Sequence, residues 1–151
     1  RNQILFQVGE GPGAPMLSSN LVEGSFPPFE DVIPKDQDKR VEFDATELSS
    51  AVRRAALLTN EESKGVRLAF EAGSLTLSSR APEMGEAEIK VEASDYQGDP
   101  IEIGFNPAYL TEALKHADAS TVLIELKAPN KPGVIKVDGD FTYVVMPVNL
   151  A

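Results

Sequence analysis

Residues that usually carry catalysis are scarce in this chain of 151 residues. It has no cysteine, which excludes disulfides, thiolate zinc sites and cysteine nucleophiles together. The single histidine, His116, falls near the C-terminal end of a predicted helix, where it interacts favourably with the helix dipole. A catalytic role would need an orienting partner, which the sequence does not show, and the Gly-x-Ser-x-Gly pattern is absent. We therefore predict that the protein is not an enzyme.

Two short motifs have the composition of ligand-binding loops. Gly9-Glu10-Gly11-Pro12-Gly13 is rich in glycine, but its proline lacks the N–H that a phosphate loop donates, and the residues after it predict a strand rather than a helix. Asp138-Gly139-Asp140 has two carboxylates without a further ligand at the spacing of a calcium loop. We interpret the first as a hairpin loop and the second as a tight turn, and we predict no metal and no cofactor.

The overall charge is strongly negative. A formal net charge of −10 argues against a general attraction to nucleic acid or anionic membranes, although a local basic patch stays compatible with it. No apolar run is long enough to cross a bilayer, and the first residues lack the pattern of a signal peptide, so we expect a cytoplasmic protein. Because the chain begins with Arg1 and not with methionine, we interpret it as a fragment of a longer protein.

The sequence of the first 39 residues predicts too few elements to fold on their own. Ile4 to Val8 and Met16 to Val22 have the composition of strands, and two strands alone are marginal in water. A proline-rich segment follows at residues 25–39. Since proline fixes φ and holds the preceding residue extended, we interpret this segment as a stiff linker.

From residue 40 onward one pattern occurs twice: a strand, a helix and three further strands. Asp44 with Glu47 forms an aspartate version of the capping box, and Asn106 with Pro107 caps and opens the second helix. The predicted helices end at about Leu58 and Ala117, and the predicted strands are Val41 to Phe43, Val66 to Glu71, Leu75 to Ser79, Glu86 to Glu92, Ile101 to Phe105, Thr121 to Lys127, Val134 to Asp138 and Phe141 to Met146. The duplication predicts an α+β domain with two helices packed on an antiparallel sheet.

Each predicted helix has one apolar stripe and one polar face. The first buries Leu48, Ala51, Val52, Ala55 and Leu58, and the second buries Leu110, Ala113, Leu114 and Ala117. Leu57 falls in the middle of the polar face, where it is either an incidental exposed leucine or a contact residue. Arg53, Arg54 and Lys115 are few, and by themselves they are ordinary solvated helix charges.

Three stretches, in order, resemble the bacterial sliding clamp, the beta subunit of DNA polymerase III. They are Glu23 to Lys35, Ala55 to Leu68, and the C-terminus from Phe141, whose Tyr-Val-Val-Met-Pro-Val-Asn-Leu run has the family's pattern. The resemblance implies a DNA clamp domain, with helices lining a central hole and sheets outside. It implies that residues 1–24 are the last strands of the second clamp domain, 25–39 the interdomain linker, and 40–151 the complete third domain.

The resemblance also implies a function. Clamps are non-enzymatic processivity factors that close as head-to-tail, ring-shaped homodimers around duplex DNA. They tether DNA polymerase III, the clamp loader and other replication or repair proteins. The alternative is a stand-alone protein-interaction module that does not encircle DNA.

Site residues carried over from the family fall into three groups. Arg53, Arg54 and Lys115 would face DNA, and Leu57 and Leu58 would lie at the subunit interface. The pocket for partner peptides would comprise Pro27, Val32, Asn106, Tyr109, Val144, Val145, Met146, Pro147, Val148 and Leu150. Its chemistry is consistent with that role, since methionine is flexible and polarisable and the tyrosine hydroxyl favours a wet partner. Alternation turns Val145 to the face opposite Val144 and Met146, so it also fits the sheet core.

Overall fold

The computed structural model describes residues 2–59, 65–81, 84–117, 119–137 and 141–150. It divides into two units, Arg1–Asp31 and Val32–Ala151. The first contains a β-hairpin of β1 (Gln3–Gln7) and β2 (Met16–Asn20), paired antiparallel with Gln3 opposite Asn20. Gly9, Gly11 and Gly13 have positive φ values of 86°, 105° and 97° in the connecting loop. The hairpin loop predicted for this motif is therefore confirmed.

The sequence predicts an extended proline-rich segment, but part of this segment is helical. Residues Phe29–Val32 form a one-turn helix, α1, whose first turn is closed by a hydrogen bond from the N–H of Asp31 to the carbonyl of Pro28 at 3.1 Å. Proline restricts the residue before it and leaves those after it free to turn, so α1 forms immediately after the proline pair. At the other end of this segment, Lys39 already belongs to a strand.

The second unit contains the repeat. Its first half comprises β3 (Lys39–Asp44), α2 (Ala45–Ala56), β4 (Val66–Glu71), β5 (Gly73–Ala81) and β6 (Gly85–Ala93). Its second half comprises β7 (Ile101–Phe105), α3 (Pro107–His116), β8 (Thr121–Leu126), β9 (Gly133–Lys136) and β10 (Thr142–Val145). The α+β class and the duplicated unit are confirmed. The turn predicted at Asp138-Gly139-Asp140 lies outside the described residues.

The antiparallel layer consists of two four-stranded sheets, ordered β10-β9-β8-β3 and β6-β5-β4-β7. Each sheet takes three consecutive strands from one repeat and the first strand from the other. Thus Val41 of β3 lies opposite Ile124 of β8, and Ile103 of β7 lies opposite Leu68 of β4. This exchange joins the two repeats into one domain.

Both helices bury the apolar stripe that the sequence predicts. Asp44 caps α2 by accepting a hydrogen bond from the N–H of Glu47 at 2.8 Å, and Asn106 caps α3 by accepting one from Ala108 at 3.0 Å. Helix α2 ends at Ala56, two residues before the predicted end, and this leaves Leu58 half-buried rather than in the stripe. The helix caps and the buried faces therefore follow from the sequence, and the helix end does not.

One aromatic cluster connects the two sheets in the core. The ring of Phe70, on β4, lies 6.5 Å from the ring of Phe43 on β3 and 6.0 Å from that of Tyr96. Since β3 and β4 belong to different sheets, Phe70 packs across the boundary between them.

A carboxylate bridges the ends of the exchanged strand pair β3 and β8. Asp38 accepts hydrogen bonds from Lys127 and Lys39, both at 2.8 Å, and these two lysines lower the pKa of its carboxyl group from 3.8 to about 2. A carboxylate with a lowered pKa in the folded state stabilises the fold above its unfolded pKa, and this contribution is lost as the pH falls.

We therefore expect Asp38→Asn to lower stability at neutral pH and to weaken the loss of stability between about pH 4 and pH 2. Urea unfolding at several pH values measures this, with exposed Asp36→Asn as the control. Parallel pH profiles for the wild type and the Asp38 variant would contradict the role of this bridge.

Candidate functional site

The C-terminal segment leaves the edge of the first sheet and crosses to the second. β10 pairs with β9, with Val145 opposite Gly133. Residues 146–150 follow without regular structure, and the N–H of Val148 donates a hydrogen bond to the carbonyl of Gly104, on β7, at 2.8 Å. Met146 and Pro147 are thus held from both sides: by the β10 ladder before them and by the backbone bond of Val148 to the other sheet after them.

Alternation along the tail separates core residues from available ones. Val145 is 3% exposed and belongs to the core, whereas Met146 is 62% exposed. Val144, Pro147 and Val148 are half-buried, as is Leu150. Val145, one of the predicted pocket residues, is therefore buried in the core, because alternation turns its side chain to the face opposite Met146.

Asn106 and Tyr109 lie beside the point where the tail is bonded. Asn106 follows β7 two residues after Gly104, and its side-chain oxygen is used to cap α3. Tyr109, in the first turn of α3, is exposed, and α3 packs against β10. Asn106, Tyr109 and the tail all belong to the second unit.

Two other carried-over pocket residues lie at the start of the chain. Pro27 is exposed in the first unit, and Val32 is exposed at the first residue of the second. Sequence reasoning missed Gly65 and Gly104, over which the tail packs. The sequence contained a signal for Gly104, because a glycine inside a strand often marks the close approach of another backbone.

The predicted basic residues meet at one groove between the helices. A concavity of about 720 Å³ is lined by Arg53, Arg54 and Lys115, together with small residues that include Ser49 and Ser50. All three basic side chains are exposed and lie in the last turns of α2 and α3. Among the described residues, none of the three takes part in a salt bridge. The groove is therefore locally positive on a negative protein.

Leu57 and Leu58 lie just beyond the end of α2. Leu57 is the C-cap residue, and its side chain is exposed, whereas Leu58 is half-buried. The structure thus gives Leu57 the exposed position that the helix wheel predicts.

The single histidine, His116, lies within hydrogen-bond distance of an acidic side chain of its own helix. His116, the last residue of α3, lies 2.8 Å from Glu112 one turn earlier, and both side chains are exposed. Within the described ranges no group of three or more acidic or histidine residues is placed to hold a metal ion. None of the helices in the described part of the chain is long and apolar enough to span a membrane.

The sequence matches the family model of the DNA polymerase III beta subunit, C-terminal domain, over residues 30–149. The chain belongs to this family. The Beta sliding clamp of Pseudomonas putida is 40% identical over 136 residues, which cover 89% of this chain and 37% of the relative. That of Caulobacter vibrioides is 36% identical over 140 residues, covering 91% of the chain and 37% of the relative. This chain therefore spans little more than a third of the length of these clamps.

Solved clamp structures share the fold. A Pseudomonas aeruginosa sliding clamp bound to griselimycin superposes with a TM-score of 0.79 at 38% identity, covering 89% of this chain and 37% of that one. A Bartonella birtlesii clamp bound to griselimycin gives a TM-score of 0.81 at 31% identity, covering 99% and 39%. The resemblance to the sliding clamp and the clamp-domain fold are confirmed.

Proposed function

We propose that this chain forms part of a bacterial sliding clamp, a non-enzymatic processivity factor that acts as a ring-shaped homodimer around duplex DNA. Its partners are DNA, a second copy of the clamp, DNA polymerase III, the clamp loader and other replication or repair proteins. In a bacterium these partners are cytoplasmic. Membership of the beta-subunit family and the clamp fold support this proposal.

The domain assignment belongs to the same proposal. Residues 1–24 are the last strands of the second clamp domain, residues 25–39 the linker, and residues 40–151 the third domain. The boundary between the two units, at Asp31 and Val32, falls inside the proposed linker and supports this division.

The observation that carries peptide binding is an exposed methionine in a tail segment held from both sides. Met146 presents an apolar, adaptable side chain beside half-buried apolar neighbours, and Tyr109 adds a ring with a polar tip. A short peptide with an apolar anchor would be desolvated on such a surface. The Pseudomonas aeruginosa and Bartonella birtlesii clamps are bound to griselimycin, which supports a ligand-binding role for this fold.

We expect Met146→Ala to weaken binding of a clamp-binding peptide from a replicative DNA polymerase by at least about tenfold, because truncating an interface anchor typically costs about 2 kcal/mol. Fluorescence titration of the labelled peptide measures this. Circular dichroism should show an unchanged fold, since the side chain is largely exposed.

The matched control is Met84→Ala, because Met84 has the same exposed fraction as Met146, 62%, and lies at the turn between β5 and β6. This variant should bind the peptide like the wild type. Equal affinities for the two methionine variants would place the peptide site elsewhere.

DNA contact is proposed for the groove between the helices. Three exposed basic residues without acidic partners among the described residues give a local attraction to phosphate, while the overall charge of −10 limits its strength. That combination suits a ring that must slide. It also favours the clamp over an interaction module that never meets DNA.

The subunit interface is proposed for the end of α2. Leu57 offers an exposed apolar side chain where the helix stops, with Leu58 beside it. Burial of an exposed leucine against a second subunit would remove apolar area from water.

A further inference from the structure

The tail packs directly over two glycines, Gly65 and Gly104. A Cβ atom built on Gly104 would lie 2.5 Å from Cγ of Leu150 and 2.7 Å from the carbonyl oxygen of Val148. A Cβ atom built on Gly65 would lie 2.7 Å from Cδ2 of Leu150 and 2.8 Å from Cγ2 of Val148. Cβ atoms in proteins do not approach other atoms this closely. At Gly104, where one contact is a backbone oxygen, a larger residue would displace the tail, and at Gly65 the side-chain ends of Val148 and Leu150 would have to move.

Both positions require glycine because there is no room for a side chain, and not because the backbone has an unusual conformation. Neither Gly65 nor Gly104 is among the described glycines with positive φ. Strand alternation puts Gly65 on the same face of the sheet as Arg67, and Gly104 on the same face as Glu102. Arg67 and Glu102 form an exposed salt bridge at 2.6 Å, so this is the outer face, opposite the core. Gly104 is nevertheless buried, because the tail covers it.

We propose that Gly65 and Gly104 form a notch that seats Val148 and Leu150, and that this seating positions Met146 and Pro147 for the partner peptide. The second part rests on the proposed function. Both glycines are positioning residues: they act on the peptide through the tail.

The geometry of the tail explains how the notch acts. Only Met146 and Pro147 lie between the end of β10 and the backbone bond of Val148 to Gly104. The ring of Pro147 fixes one backbone angle of this short span. With Leu150 seated, the span is ordered before a peptide arrives, so binding loses less conformational entropy. A displaced tail would keep the same side chains and lose this order.

The test uses the 151-residue chain with Gly104→Ala and Gly65→Ala. In Gly104→Ala we expect the hydrogen-exchange protection of the Val148 amide to fall at least tenfold, the Leu150 methyl resonances to shift, and the peptide affinity to drop about tenfold. Amides of β4 and β7 should keep their protection. Gly65→Ala is the milder variant, since it meets side-chain ends rather than backbone at close range, and it serves if Gly104→Ala does not fold.

Two comparisons separate positioning from general damage. Ala69→Ser adds one atom to the same outer face of β4 and should leave the Val148 amide and the peptide affinity unchanged. In a Leu150→Ala background the effect of Gly65→Ala on peptide affinity should shrink, because one of its two close neighbours has been removed.

The measurements test the notch, its positioning role and the peptide function separately. Full protection of the Val148 amide in both glycine variants would overturn the notch. Loss of protection with unchanged peptide affinity would overturn the positioning role. If the wild type binds no peptide, the proposed peptide function fails, whereas amide exchange and the Leu150 methyl shifts still decide whether the glycines seat the tail.

Discussion

Replacing Phe70 by alanine is expected to lower the free energy of unfolding by about 3–5 kcal/mol, the usual range for a fully buried phenylalanine. Phe70 is 0% exposed, and its ring contacts Phe43 from the other sheet as well as Tyr96. The lost stability therefore has two parts: the free energy of burying the ring away from water, and the cost of a cavity where the two sheets meet. Urea unfolding followed by circular dichroism measures the change.

Phe26→Ala removes the same atoms from a side chain that is 91% exposed, so it should change stability by less than about 0.5 kcal/mol. A loss below about 1 kcal/mol for Phe70→Ala would mean that the aromatic cluster does not hold the sheets together.

Reversing the three groove charges, with Arg53→Glu, Arg54→Glu and Lys115→Glu, is expected to abolish the weak DNA binding that this chain shows at low salt. Each lost phosphate contact should reduce the slope of log K against log salt by about 0.9. Binding of the wild type should show no sequence preference, because phosphate contacts carry none. Fluorescence anisotropy with two unrelated duplexes, over a range of low salt concentrations, measures affinity and slope.

A control with the same change in net charge separates the groove from the protein as a whole. Lys35→Glu, Lys90→Glu and Lys131→Glu reverse three exposed lysines that do not line the groove. This variant should keep most of the salt-dependent binding. If both triple variants lose binding equally, the attraction is a property of net charge, and the interaction module without DNA becomes the better hypothesis.

Local signals in the sequence predicted the elements of the fold well. Asp44 and Asn106 marked the helix starts, and alternation along β4 identified Leu68 and Phe70 as core residues. Strand pairing was not available in the same way. Alternation tells which face of a strand is buried but not which strand lies beside it, so nothing local announced that β3 pairs with β8.

The candidate site, like the fold, could be predicted from the sequence only in part. The family resemblance located the tail, and alternation correctly set Val145 apart from Met146. The seating of Leu150 over Gly65 and Gly104 brings together three distant parts of the chain, and it became visible only once they were placed together. The helical turn at Phe29–Val32 was missed because prolines dominated the interpretation of the whole segment.

Because the repeats exchange their first strands, some strands are synthesised long before the strands with which they pair. While it is being synthesised, β3 must wait through the rest of its own repeat, β7 and α3 before its partner β8 appears. β4, β5 and β6 can pair as they emerge, but their sheet stays open at one edge until β7 follows. Long-range pairing of this kind folds late and leaves strand edges exposed to other nascent chains. The β6-β5-β4-β7 sheet is therefore complete only once β7 has been synthesised, and the β10-β9-β8-β3 sheet only after the last strand, β10.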